Sequence, residues 1–332
     1  MHMLAGTSRG VFALNGAGPR RVLEGRGVRD IVRIGARCFA ATGAGLYLSD
    51  DDGETWRLSG MADREVWQVR AGADGVLWAG TQPAGLYRST DMGESWTEVT
   101  SFLQVPEAEA WCVPVTPRLP GRARAIAFDR DDPRRLRVGV EVGGIMRSDD
   151  GGESWSLDMP GGNPDLHMLS SHPGAPGTMF ASTGYGRFDG VAEMVEGNAG
   201  VFRSDDGGTS WRYVWSGITP RYSRPMCIDP RSPHGLTVAS APTAFSSFKD
   251  QGGAQAMLYR SDDGGGNWRS LCDAAHTPCA ANIHGLVPDP ERAGGVVVGT
   301  DTGEIWRVAS NAEWTPVASA LPAMLSLAAW AD

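Results

Sequence analysis

An eight-residue motif that occurs five times constrains the fold of this chain more than any other feature. It reads Ser-x-Asp-x-Gly-x-Ser/Thr/Asn-Trp, and the Ser, Asp, Gly and Trp keep their spacing in every copy. The copies occupy residues 49–56, 89–96, 148–155, 204–211 and 261–268. A repeat of this kind predicts an array of similar supersecondary units that bury one continuous core.

The surroundings of each motif predict a four-stranded antiparallel meander. A short apolar run such as 45–48 precedes the motif and another such as 56–58 follows it, so the motif is the turn between a third and a fourth strand. Two further strands lie upstream, as at 66–70 and 75–80. Six full repeats begin near Arg29, Glu65, Arg122, Leu166, Arg224 and Ile283.

The two ends of the chain supply a seventh repeat. Residues 3–6, 10–14 and 20–23 have the pattern of second, third and fourth strands, and residues 324–330 have that of a lone first strand. A ring closed by both chain ends exposes no sheet edge. The prediction is therefore an all-β, seven-bladed β-propeller of four-stranded antiparallel blades, in one domain over residues 1–332.

The motif resembles the Asp-box, or BNR repeat. This repeat occurs in sialidases, sortilin-type receptors, some glycoside hydrolases, photosystem assembly factors and many uncharacterised bacterial propellers. Segments such as 128–133, before a second strand, resemble the last group, often called sialidase-like. The resemblance supports the propeller fold and constrains function weakly.

Composition narrows the class of partner. Net charge is -9, which disfavours nucleic acid or an anionic membrane surface as the main partner. The N-terminus has no signal-peptide pattern, and no segment approaches the roughly 20 apolar residues that span a bilayer. We therefore expect a cytoplasmic, bacterial-type protein.

The motif itself is interpreted as structural. Its Asp can accept N–H bonds in the turn, its Gly can adopt positive φ and its Trp can pack between blades. Calcium binding by Asp50, Asp51 and Asp52, or by Asp149 and Asp150, is the weaker alternative, because the loops lack the length and final Glu of an EF-hand.

Three insertions are predicted on the opposite face, where propellers usually carry their sites. They span residues 101–121, 183–200 and 241–256, and the first contains Trp111. Tolerated surface loops are the simpler explanation. Their occurrence in adjacent blades favours a lid or funnel wall.

Aligned first strands place charged and aromatic residues in one column at the channel mouth. The column contains Arg29, Trp67, Arg124, His167, Arg224 and His284, with Ala323 or Met324 as its seventh member. Arginine binds carboxylate or phosphate through paired hydrogen bonds, so the column predicts an anionic ligand. The alternative is that these side chains pair with local acids such as Asp30, Glu65, Glu141 or Asp165 and hold the blades together.

Sialidases bind a substrate carboxylate with three arginines, which the column resembles. The chain departs from them because it has no Arg-Ile-Pro motif near its N-terminus and no clear Tyr/Glu nucleophile pair. Tyr222 and Glu141 are the nearest candidates. A true sialidase is therefore not expected.

These sequence patterns require no cofactor, although they are compatible with a bound divalent metal. Its ligands would be His167 and His284, helped by Glu65, Glu141 or Asp165. A channel histidine bonded to backbone or water is the simpler alternative. Cys272, His276 and Cys279 form a second weak metal signal, and a disulfide or two free thiols explain this pair of cysteines equally well.

Two functional hypotheses follow. The first is a binding protein or hydrolase/lyase-type enzyme for a small anionic molecule at the channel mouth. Its acid–base candidates are His167, His284 and Glu141, and its ligand-binding candidates are Arg29, Trp67, Trp111, Arg124, Tyr222 and Arg224. The alternative is a non-catalytic scaffold that holds a protein partner on one propeller face.

Overall fold

The computed structural model describes residues 1–15, 18–186, 194–231, 235–243 and 251–331. Over these residues the regular secondary structure is almost entirely β-strand. Its only helices there are short 3-10 turns at Thr100–Leu103, Pro106–Ala110, Pro160–Gly162 and Ala274–His276. None of these described helices has the length and apolarity to cross a membrane.

One sheet is built from both ends of the chain. Its strands are β1 (His2–Thr7), β2 (Gly10–Ala13), β3 (Arg20–Glu24) and β30 (Met324–Trp330), in the order β3-β2-β1-β30. Strand β30 therefore supplies the first strand of a repeat whose other three strands open the chain, as the sequence predicts.

The other six sheets follow the chain in order, each a four-stranded antiparallel meander. The second sheet contains β4 (Val28–Ile34), β5 (Arg37–Thr42), β6 (Gly45–Ser49) and β7 (Arg57–Gly60). The third contains β8 (Glu65–Ala71), β9 (Leu77–Gln82), β10 (Gly85–Ser89) and β11 (Thr97–Glu98). A separate hairpin, β12 (Cys112–Val113) with β13 (Leu119–Pro120), follows it.

The remaining sheets repeat this arrangement. The fourth contains β14 (Arg122–Phe128), β15 (Leu136–Glu141), β16 (Gly144–Ser148) and β17 (Ser156–Asp158). The fifth contains β18 (Leu166–Ser171), β19 (Met179–Thr183), β20 (Val201–Ser204) and β21 (Arg212–Tyr213). The sixth contains β22 (Tyr222–Ile228), β23 (Leu236–Ala241), β24 (Met257–Ser261) and β25 (Arg269–Ser270). The seventh contains β26 (Ile283–Pro288), β27 (Val296–Thr300), β28 (Ile305–Val308) and β29 (Trp314–Ala318).

Seven such sheets confirm the predicted seven-bladed β-propeller. The chain packs as two compact units. The first unit contains Met1–Gly43, Leu48–Arg57 and Ile218–Asp332, and the second contains Ala44–Tyr47 and Leu58–Gly217. That residues 1–332 form one domain stays a prediction.

Within each unit, first strands pack against first strands. In the second unit β14 contacts β8 and β18, and in the first unit β26 contacts β22 and β30. Glycines make this approach possible: a Cβ on Gly80 would lie 2.3 Å from the carbonyl oxygen of Ala123, and one on Gly139 would lie 2.2 Å from the side chain of Leu166. Small residues in second strands therefore let the next blade come close.

The five Asp-boxes form one hydrogen-bonded turn. In the copy at 148–155, the Ser148 hydroxyl donates to Asp150 Oδ1 at 2.8 Å and accepts from Gly152 N at 2.9 Å. The other oxygen of Asp150 accepts from the Ser154 hydroxyl at 2.5 Å, and Gly152 has φ of 90°. The same bonds recur in the other four copies, with the Asn267 side-chain amide in place of the second hydroxyl in the copy at 261–268. These bonds occupy the Asp oxygens and support the structural interpretation of the box.

The first predicted insertion is ordered around aromatic residues. Trp111 is buried and lies 5.1 Å from Phe102, which in turn contacts Trp155 of the next Asp-box. The other two insertions are described only in part, because residues 187–193 and 244–250 lie outside the described residues. Their role as a lid stays a prediction.

Candidate functional site

Each first strand has a bulge where its pairing register shifts, with one unmatched residue in the other strands and two, Arg224 and Pro225, in β22. Val66 pairs with Thr81 and Gln68 with Gly80, so Trp67 is extra, and Ala123 and Ala125 leave Arg124 extra in the same way. Such a bulge re-aims a side chain. The residues at the shift are Arg29, Trp67, Arg124, His167, Arg224 and His284, the six aligned from sequence.

The seventh member of the column is Leu325. In β30, Ser326 pairs with Gly6 and Met324 with Thr7, which leaves Leu325 at the shift. The sequence alignment, which placed Ala323 or Met324 there, is wrong by one or two residues. Its error arose because the lone C-terminal strand has no neighbouring second strand in sequence to set the register.

In the second unit, Glu141 gathers two arginines. Arg122 donates to both of its carboxylate oxygens, from Nε at 3.0 Å and from Nη2 at 2.6 Å, and Arg124 forms an ion pair with the same carboxylate. The two guanidinium carbons lie 4.2 and 5.2 Å from the ring centre of Trp67. Trp67 and Glu141 are both buried. Arg124 is thus held by a local acid, the alternative to ligand binding that the sequence left open.

Asp165 and His167 adjoin this network. Asp165 precedes β18 and accepts hydrogen bonds at Oδ2 from the backbone N–H groups of Tyr185 and Gly186, at 2.9 and 2.8 Å. Its Oδ1 lies 3.3 Å from Nε2 of His167, which is fully buried. Oxygens of Glu141 and Asp165 and a nitrogen of His167 all lie within 4.8 Å of one another.

Electrostatics keep both acids of this cluster ionised. Burial opposes ionisation of Glu141, but Arg122, Arg124 and His167 hold its pKa well below the usual value. Burial also opposes ionisation of Asp165, yet His167 and the Gly186 N–H lower its pKa. Neither carboxyl is suited to donate a proton at neutral pH.

In the first unit, Arg224 links Tyr222 to His284. It donates to the Tyr222 hydroxyl from Nη2 at 2.9 Å, and its Nη1 lies 3.3 Å from Nδ1 of His284. Because a guanidinium only donates, Nδ1 accepts in this contact, and a neutral His284 ring carries its proton on Nε2. Tyr222 is buried, while Arg224 and His284 are partly exposed.

Asp301 lies within electrostatic range of Arg224 and was missed in the sequence. It follows β27, and its carboxylate accepts from Asn282 N at 3.0 Å while its own N–H donates to Asn282 O at 3.0 Å. Burial raises the pKa of Asp301, and the hydrogen bond from the Asn282 N–H, followed by the charge of Arg224, opposes that rise only in part. A half-buried carboxyl of this kind can hold and donate a proton.

Sequence position offered a signal for Asp301. It stands one residue after a second strand, where the fourth sheet has Glu141 at the end of β15, and both adjoin a column residue. Arg122 was likewise missed as a site residue, although it lies two residues before Arg124.

The other predicted residues are Arg29, Glu65 and Trp111, each in a different part of the chain. Arg29 is partly exposed at the bulge of β4, and Glu65 opens β8 opposite Gln82. Trp111 packs against Phe102 of its own insertion and joins the core cluster that contains Trp78 and Val140. Among the described residues, neither Glu65 nor His284 belongs to the cluster around His167 that could hold a metal.

Comparison with known proteins agrees with the repeat and the fold. The family model described as BNR/Asp-box repeat matches residues 146–157, which contain the third box. The five boxes and seven sheets define an Asp-box β-propeller.

Relatives in sequence are xyloglucanases. A probable oligoxyloglucan-reducing end-specific xyloglucanase of Neosartorya fischeri is 26% identical over 288 residues, which cover 75% of this chain and 33% of that protein. The chain thus spans about a third of the length of this curated relative. The predicted likeness to uncharacterised sialidase-like propellers is not confirmed by these matches.

Solved structures show the same fold. The GH74 enzyme of Niastella koreensis has a TM-score of 0.64 at 17% identity, over 94% of this chain and 46% of that one. YCF48 from Cyanidioschyzon merolae has a TM-score of 0.58 at 15% identity, over 87% of this chain and 84% of that one.

Proposed function

We propose that this propeller binds a carbohydrate and acts on it as a glycoside hydrolase. The observation that carries the proposal is Asp301, a half-buried carboxyl with a raised pKa beside the Arg224, Tyr222 and His284 cluster. The xyloglucanase relatives support a sugar as the ligand. The proposal requires no resident cofactor.

Asp301 would serve as the general acid. Glycoside hydrolysis needs a protonated carboxyl that delivers its proton to the leaving oxygen as the bond to the anomeric carbon breaks, and a carboxylate that activates water or attacks that carbon. Burial keeps the proton on Asp301 to a higher pH than usual, which suits the first role.

Arg224, Tyr222 and His284 would hold the sugar. A neutral His284 presents an Nε2–H donor for a hydroxyl oxygen, and Arg224 is oriented by two contacts. The prediction that the ligand is anionic has less support than the proposal of a sugar, because Arg124, one of the arginines predicted to bind the anion, is already paired with Glu141.

The test combines binding and turnover on xyloglucan oligosaccharides. Calorimetry should show saturable binding to the wild type, and reducing-sugar release should show hydrolysis. Asp301→Asn should bind as well as the wild type and lose about 100-fold or more in rate. Glu313→Gln, which changes an exposed carboxylate of the same sheet, is the matched control and should retain both.

Each outcome decides one part of the proposal. A wild type that neither binds nor cleaves these oligosaccharides would overturn it. Binding without cleavage would support a carbohydrate-binding propeller and contradict the proposed hydrolase activity. Binding to a protein partner in place of sugar would favour the scaffold hypothesis.

A further inference from the structure

The buried cluster of Glu141, Asp165 and His167 supports an inference independent of the proposed function. These side chains come from the end of β15, the residue before β18 and the bulge of β18. They are 5%, 5% and 0% exposed. One ligand atom from each lies within 4.8 Å of the others, so a single ion could contact all three after small movements.

Asp165 Oδ1 points to a missing ligand in this cluster. Its partner Oδ2 accepts two backbone N–H bonds. The buried Oδ1 has His167 Nε2 as its polar neighbour at 3.3 Å, and the two atoms do not meet in hydrogen-bond geometry. A buried carboxylate oxygen without a well-aligned donor is costly. A cation at Oδ1 would remove that cost.

The spacing of two donors fits a tetrahedral metal. Asp165 Oδ1 and His167 Nε2 lie 3.3 Å apart. Two ligands at about 2.0–2.1 Å from one Zn²⁺, at a tetrahedral angle, are separated by about 3.3–3.4 Å. One nitrogen and two carboxylate donors suit a first-row transition metal better than Ca²⁺, which takes six to eight oxygens.

Gly184 leaves space beside these donors. A Cβ at this position would lie 2.3 Å from Asp165 Oδ2 and 2.8 Å from His167 Nε2. Any side chain at this position would therefore fill the space next to Asp165 and His167, whereas glycine leaves that space open. The backbone N–H groups of Tyr185 and Gly186 fix the Asp165 carboxylate from the other side, as outer-shell donors do in metal sites.

Arg122 and Arg124 would influence the affinity for a metal ion and the relative strength of the three ligands. The two guanidinium charges offset the two carboxylate charges of Glu141 and Asp165, so a divalent ion adds net positive charge. Glu141, already engaged by both guanidiniums, would be the weakest ligand. Asp165 and His167 would provide most of the binding free energy.

We propose that Asp165, His167 and Glu141 form a site for a divalent first-row metal, with Zn²⁺ as its best ion. The geometry that carries this proposal is the 3.3 Å separation of Asp165 Oδ1 and His167 Nε2, two buried ligand atoms that do not meet in hydrogen-bond geometry.

The test is metal titration of chelator-treated full chain. Calorimetry with Zn²⁺ should give one saturable site, and Zn²⁺ should raise the melting temperature more than Ca²⁺ does. Asp165→Asn and His167→Gln should each weaken Zn²⁺ binding at least tenfold. His276→Ala alters the loop at 272–279 and should bind Zn²⁺ as tightly as the wild type.

Several results would overturn the site. They are the absence of saturable binding, wild-type affinity in His167→Gln, and loss of binding in His276→Ala, which would place the metal at the 272–279 loop. If Asp165→Asn does not fold by circular dichroism, His167→Gln decides alone. Cobalt provides a second readout, because a tetrahedral site with no thiolate should show visible d–d bands and no sulfur-to-metal charge transfer.

Discussion

The carboxylate of Glu141 accepts hydrogen bonds from both Nε and Nη2 of Arg122, at 3.0 and 2.6 Å, inside the second unit. Arg124 contacts the same carboxylate, and the Arg122 and Arg124 side chains are only 18% and 10% exposed. Glu141 is therefore the common counter-ion of two nearly buried cations. Its removal would leave both charges in a low-dielectric environment.

Glu141→Gln should accordingly destabilise the metal-free protein by about 3–5 kcal/mol, the typical loss when one partner of a buried pair is removed. Urea unfolding at pH 7 measures this free energy. Glu153→Gln, on an exposed box residue, is the control and should change stability by less than about 0.5 kcal/mol. A loss below about 1 kcal/mol for Glu141→Gln would mean that the network is not stabilising.

The Asp-box predicts a second, smaller effect. Asp150 accepts from the Ser148 and Ser154 hydroxyls and from backbone N–H groups of its own turn. Asp150→Ala should cost about 1 kcal/mol, because the bonds are lost at an exposed turn where water replaces them. Urea unfolding of Asp150→Ala beside Glu153→Ala measures the difference. Equal stability of the two variants would contradict a structural role for the box.

Acid should weaken all five boxes together. Hydrogen bonds from Thr55 hold the pKa of Asp51 at about 2, and those from Ser154 do the same for Asp150. Because the folded pKa is lowered, the stabilisation is fully present above the unfolded pKa of about 3.9 and is lost as pH falls toward 2.

Thermal melts between pH 5 and pH 2 should therefore show the steepest fall in melting temperature below about pH 4. The Asp150→Ala variant should show a shallower fall, since one of the contributing carboxylates is gone. If the melting temperature falls equally steeply in both proteins, the Asp-boxes are not a source of the acid sensitivity.

The fold could be predicted from the sequence because its signal is local and repeated. Each box brings its own turn chemistry, and the apolar runs around it set two strands. The column residues were also found, since a bulge keeps the same place in every first strand. Leu325 was misplaced because β30 pairs with β1, which lies at the other end of the chain.

The partners of the column residues could not be predicted, because they depend on distances between blades. The sequence shows that Arg124 and Glu141 are both charged. It does not show that Arg122 also donates hydrogen bonds to both carboxylate oxygens of Glu141. The sequence likewise does not show that Asp301 is half-buried, or that this burial raises the pKa of its carboxyl. Desolvation and pairing arise from packing, which no single repeat encodes.

Buried thiols give the last prediction. All five cysteines are free in the structure, so the disulfide that the sequence left open between Cys272 and Cys279 is not formed. Burial raises the pKa of Cys38 and Cys279 to about 11. At pH 8 the thiolate fraction of each is then about a hundredfold lower than for an ordinary cysteine, and the thiolate is the reactive form.

Ellman's reagent at pH 8 should therefore react slowly with the native protein, beginning at the partly exposed Cys272. Unfolding in urea without reductant should release five reactive thiols, because burial no longer protects them. Cys272→Ser should remove the earliest phase and leave four. Rapid reaction of several thiols in the native state would contradict the burial, and three thiols in unfolded wild type would show a disulfide.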